Sequence, residues 1–102
     1  HIATEYTIRY LRTRRALRAI ALTTDTSALT AAGNDFSFDD IFSRQVEAIG
    51  RAGDLLIVHT TSGNSPNCLR AIAVAKQMGI KTLALTAKDG GKVKAAADLT
   101  LI

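Results

Sequence analysis

Thr60, Thr61, Ser62 and Ser65 place four hydroxyls within six residues, with Gly63 among them and Pro66 directly after. Hydroxyls donate hydrogen bonds without adding charge, and glycine lets backbone approach a ligand closely. A helix beginning at Pro66 would direct unpaired N–H groups and its positive dipole end back at the loop. That chemistry suits a phosphate monoester. The loop is not G-x-x-x-x-G-K-[ST], having no lysine to reach a terminal phosphate, and it is not G-x-G-x-x-G. An ordinary strand-to-helix turn uses Ser and Thr for local capping but needs fewer of them, so the phosphate reading is preferred.

Two further groups have types and spacing suited to chemistry. His1 and Glu5 stand at i and i+4, on one face of a helix, where they could share a divalent metal or Glu5 could act as a base beside His1. Spacing alone favours a surface pair, since two ligands do not make a zinc site. Asn34 and Asp35, within Gly33–Phe36, could hydrogen-bond sugar hydroxyls, and a plain Gly-Asn-Asp turn explains them equally well. His59 reads as a bystander at a strand end, and the single cysteine, Cys68, as a buried structural residue.

These groups need elements to hold them. Apolar runs begin at Ala19 (AIALTT), Asp54 (DLLIVHT), Lys81 (KTLALTA) and Asp98 (DLTLI). Continuous rather than alternating apolar character predicts strands of a parallel sheet covered on both faces. Between them, Phe42, Val46 and Ile49 recur at helical spacing, with Ser37 and Asp40 resembling a capping box and Gly50 placed as terminator. The next helix has Ser65 as N-cap, Pro66 at its first position, then Leu69, Ile72 and Met78 before Gly79. A short last helix is expected over about 91–97, entered by Gly90-Gly91. Alternating strands and helices predict an α/β fold, a three-layer doubly wound parallel sheet. In such a sheet ligands bind beyond the C-terminal strand ends, which is where Thr60–Ser65 falls.

At 102 residues, 47% hydrophobic and 22% charged, the chain is one globular domain and not a disordered segment. No apolar run is long enough for a membrane span and no signal-peptide core is present, so a cytoplasmic protein without membrane contacts is expected. The net charge of +4 owes much to Arg9, Arg12, Arg14, Arg15 and Arg18. With no groove-reading or aromatic motif beside them, they read as a solvated face and not as a nucleic-acid surface.

Taken in order, ALTTDTSALTAAGNDFSFDDIFSRQVEAIG, GDLLIVHTTSGNSPN and TLALTAKDGGK resemble sugar isomerase (SIS) domains, which are flavodoxin-like, and within them the phosphoheptose isomerase family. The resemblance covers almost the whole chain. It implies aldose–ketose isomerisation of sedoheptulose 7-phosphate to D-glycero-D-manno-heptose 7-phosphate, toward lipopolysaccharide heptose. By resemblance, Thr60, Thr61, Ser62 and Ser65 hold the phosphate, and Asn34 and Asp35 contact substrate. His1 and Glu5 are zinc ligands, Glu5 also being the proton-transfer base, and the protein is a homotetramer. The family's first strand with a C-G-N-G-G-S-like loop and its C-terminal R-I-Q-E-x-H-like helix have no counterpart in residues 1–102. These residues are therefore expected to form a partial SIS domain whose remaining metal ligands lie elsewhere. Thr60 replaces a more usual Ser and keeps the hydroxyl; His59 stands where an aliphatic residue is common, and Thr7-Ile8 replaces a pair ending in Gly. The alternative is a non-catalytic SIS module that binds a phosphosugar or, like DnaA-binding relatives, a protein. Retention of Glu5 and of Gly33-Asn34-Asp35 favours the enzyme.

Overall fold

A computed structural model describes all 102 residues. Its elements are α1 (Ile2–Thr7), α2 (Thr26–Asp35), a 3-10 turn (Phe38–Asp40), α3 (Ser43–Ile49), β1 (Leu55–Thr60), α4 (Pro66–Gln77), β2 (Lys81–Thr86), α5 (Val93–Ala96) and β3 (Leu99–Leu101). The three strands are parallel in the order β1-β2-β3, with Leu55 opposite Lys81, Thr60 opposite Thr86, and Leu83 opposite Leu99. This is the α/β class with the parallel sheet that the apolar runs predict.

The grammar around α4 is the grammar of the sequence. Ser65 is N-cap, Pro66 opens the helix, and Gly79 leaves it in the left-handed region at φ 74°, where a side chain would be strained. One face of α4 carries Cys68 and Ile72 onto Val58, Ala84 and Val93; its small Ala71 and Ala75 admit Val46 of α3 and Ile80. Ile72 is 1% exposed and Ala75 fully buried, which makes α4 the centre of the core. Truncating Ile72 to Ala would cost about 2–5 kcal/mol.

Helices lie on the sheet face bearing Leu56, Val58 and Ala84. The alternate positions are mostly apolar, with His59 and Lys81 among them, and stay open at the edges: Leu55, Leu99 and Leu101 are 56%, 57% and 53% exposed, while Ile57, Leu83 and Leu85 are half-buried. Continuous apolar runs thus record a sheet built for cover on both faces, of which these helices supply one.

Three local readings differ from the structure. The run from Ala19 to Thr24 is not a strand; its one backbone–backbone bond is Thr24 N–H to the Ala21 carbonyl, which also accepts from Thr24 Oγ1, and Leu22 is held through its carbonyl by Gln45 Nε2 at 2.9 Å. A strand needs a ladder partner, and no segment pairs with this one. Gly33, Asn34 and Asp35 form the last turn of α2 and not a free turn. That helix is capped by Asp25, whose carboxylate accepts from the Ala28 N–H at 3.0 Å. Ser37 caps the 3-10 turn, accepting from Asp39 N–H and donating to the Asp40 carboxylate at 3.1 Å, so α3 begins later, at Ser43.

Candidate functional site

Beyond the C-terminal end of β1, the loop 61–65 turns the chain into α4. The hydroxyls of Thr60 and Ser65 meet at 3.3 Å. Ser65 therefore leaves the helix end uncapped by its side chain, and the N–H groups of Asn67 and Cys68 have no acceptor within the chain. Unpaired donors at a helix start favour an anion. Ser62 Oγ accepts from the Asn64 N–H at 3.1 Å, which leaves its own hydrogen free to donate. Of the predicted phosphate residues, Thr60, Thr61, Ser62 and Ser65 are contiguous here, Thr60 buried, Ser65 half-buried, Thr61 and Ser62 exposed.

The loop is held by the turn that follows β2. Gly63, at φ 68°, lies so close to Gly90 that any Cβ on it would run into the Gly90 carbonyl, and a Cβ on Gly91 would strike the Ser62 carbonyl. Val93 N–H donates to the Gly63 carbonyl at 3.0 Å and Ala87 N–H to that of Thr61 at 3.2 Å. Lys92 N–H donates to Asn64 Oδ1, also at 3.0 Å. The sequence marks Gly90-Gly91 as a helix entry; that the pair also seats Gly63 and Asn64 shows only in three dimensions.

Asn34 and Asp35 sit exposed at the end of α2, Asn34 Nδ2 donating to Asp35 Oδ1 at 3.0 Å. The adjoining 3-10 turn is tied to α4 by Arg70, whose Nη1 approaches Asp40 Oδ1 to 2.6 Å. The Arg70 hydrogen bond holds the Asp40 carboxyl below its usual range, with Ser37 adding to it. This tie fixes the 3-10 turn, which follows the helix bearing Asn34 and Asp35, to the helix whose start frames the loop.

His1 and Glu5 stand apart from this cluster. No residue of α1 is buried, and neither side chain makes a hydrogen bond or ion pair. The helix is fastened at its C-terminal carbonyls: Arg14 donates to the Glu5 carbonyl at 2.6 Å and to that of Tyr6 at 3.0 Å, and Leu17 N–H donates to Tyr6 at 3.1 Å. One member of the basic cluster is thereby a helix cap. The donor types of His1 and Glu5 suit zinc, but no third His, Cys, Asp or Glu joins them, so they fit part of a metal site and not a whole one. His59 is exposed on the open sheet face, and Cys68 is buried, which pushes its thiol pKa up. No helix is long and apolar enough to cross a membrane.

The SIS domain profile matches residues 1–87. The chain belongs to the SIS domain family. Among curated proteins, this SIS domain is 57% identical over 102 residues to the phosphoheptose isomerase of Paramagnetospirillum magneticum, covering all of this chain and 53% of that one. It is 57% identical over 104 residues to that of Chlorobaculum parvum, covering 50% of it. Among solved structures, the phosphoheptose isomerase from Neisseria gonorrhoeae superposes with a TM-score of 0.87 at 50% identity, over 96% of this chain and 50% of that one. The one from Francisella tularensis gives 0.87 at 39% identity, over 95% and 51%. The chain thus spans about half the length of the relatives it matches.

Proposed function

We propose that this SIS domain is the substrate-holding centre of an aldose–ketose isomerase that converts sedoheptulose 7-phosphate to D-glycero-D-manno-heptose 7-phosphate. The observation that carries the reading is the loop at Thr60–Ser65: hydroxyls and free helix-start N–H groups gathered at the strand end, in a chain over half identical to phosphoheptose isomerases. The loop binds the phosphate, and Asn34 and Asp35, at the end of α2 just before the 3-10 turn that Arg70 ties to α4, bind sugar hydroxyls. Gripping the phosphate far from the reacting carbons orients the chain of the sugar for proton transfer.

Glu5 is the base. It removes a proton from C1 of the ketose, giving the enediol, and returns it to C2 while the O1 hydroxyl proton passes to O2. The bond made at C2 balances the one broken at C1, with no net oxidation. Zinc, when bound, supplies an electrophile for the substrate oxygens; His1 and Glu5 are the residues here that would hold it, as part of its ligand set. The assembly is a homotetramer, the setting cytoplasmic, and the product feeds lipopolysaccharide heptose synthesis; nucleic acid and membrane play no part.

The test is turnover of sedoheptulose 7-phosphate by the full-length protein, with and without chelator. Activity that chelator removes supports the metal-assisted isomerase. An intact, folded protein without activity that still binds the phosphosugar turns the reading to the alternative, a non-catalytic SIS module.

A further inference from the structure

We propose that Asn64 is a positioning residue of the phosphate loop, acting through Ser62 by clamping it to the turn after β2; this rests on the phosphate reading above. Asn64 is exposed, yet its polar groups are engaged within the chain. Its N–H donates to Ser62 Oγ and its Nδ2 to the Ser62 carbonyl, each at 3.1 Å, and its Oδ1 accepts the Lys92 N–H at 3.0 Å. The residue next to Lys92 completes a second rung, Val93 N–H to the Gly63 carbonyl at 3.0 Å. The Asn64 oxygen is therefore committed to Lys92 and does not reach for a ligand.

The consequence falls on Ser62. An Oγ that already accepts the Asn64 N–H presents its hydrogen elsewhere, so the hydroxyl is oriented as a donor before an anion arrives. That bond is made by the Asn64 backbone and outlasts a change of side chain; the Asn64 side chain holds the backbone on which it depends, Nδ2 fixing the Ser62 carbonyl and Oδ1 the Lys92 N–H. Preorganised donors bind more tightly than donors that must first be ordered. The same side chain couples two turns that are 28 residues apart at Asn64 and Lys92, so the loop keeps its shape without a ligand to template it.

The experiment is a double-mutant cycle in the full-length enzyme, with inorganic phosphate as competitive inhibitor of turnover. Asn64→Ala and Ser62→Ala are each expected to weaken inhibition about tenfold. The double variant is expected to be no weaker than Ser62→Ala within about twofold, because one acts through the other. Hydrogen exchange at the Lys92 amide should accelerate in Asn64→Ala while the thermal midpoint stays within a few degrees. Inhibition unchanged in Asn64→Ala, losses that multiply to about a hundredfold in the double variant, or an unaltered Lys92 amide overturns the assignment. If Ser62→Ala itself leaves phosphate inhibition intact, the phosphate reading fails first, and that result is distinct from failure at Asn64 alone.

Discussion

In the loop at Thr60–Ser65, the backbone of Thr61 and Gly63 and the side chain of Asn64 are tied to the turn after β2, and Gly63 touches Gly90 and Gly91 backbone to backbone. In α1, no side chain is buried and the fastening runs through Arg14 and Leu17 to two carbonyls. The loop is made by short-range hydrogen bonds within 62–64 plus three hydrogen bonds and a glycine contact to the turn after β2, whereas α1, with exposed Ile2 and Tyr6, buries no residue against the rest of the chain. The binding half of the proposed site is thus held by contacts to the turn after β2, whereas the proton-transfer half sits on a helix that buries no residue.

Substitutions in the full-length protein separate the two halves, from the largest expected effect to the smallest. Glu5→Gln should cut turnover by about 10²–10⁴-fold with an unchanged circular dichroism spectrum and nearly unchanged phosphate inhibition; normal turnover would reject Glu5 as base. Gly63→Ala should both weaken phosphate inhibition and lower the midpoint in denaturant, by roughly 1–3 kcal/mol for the strained backbone alone, because the added Cβ pushes the two turns apart. If stability fell with binding intact, the loop would not depend on the interlock. Ser62→Ala should weaken phosphosugar binding by about 1–3 kcal/mol at constant stability, read by calorimetric titration.

The smallest effect on binding is expected at Asp98, at the opposite end of the sheet. The Thr82 N–H and hydroxyl donate to Asp98 Oδ2 at 2.8 and 2.9 Å and hold its carboxyl below the ordinary 3.8. A lowered folded-state pKa contributes stability that is complete above the ordinary value and is lost as pH falls through the lowered one. Thermal midpoints of wild type and Asp98→Asn should therefore differ at neutral pH and converge in acid, with phosphate inhibition the same throughout. A gap independent of pH would remove the carboxylate from the explanation.

What could be read from residues alone follows the same division. Ser65-Pro66 and Gly79 declare the ends of α4 because capping is decided within a few residues, and the strands at Leu55, Lys81 and Leu99 appear where the apolar runs put them. The run at Ala19 has the same composition without a ladder partner, a condition no local pattern reports. Helix α2 hid behind Gly33-Asn34-Asp35, which looks like a turn, although Asp25 followed by Ala28 and Leu29 carries an N-cap signal. The hydroxyl loop was legible from its composition as a strand-to-helix turn rich in donors, and the structure places it beyond the end of β1. Its dependence on Asn64 and Lys92 was not legible, since nothing at either position announces the other.

Helix α4 has two employments: its start frames the loop proposed to hold the phosphate, and its body, through Ile72 and Ala75, is the middle of the core. A heritable change that loosens that body tilts the ligand-facing end before it unfolds the domain. Conditional alleles, functional when cool and deficient when warm, should therefore gather along α4, and substrate supplied in excess should mask them.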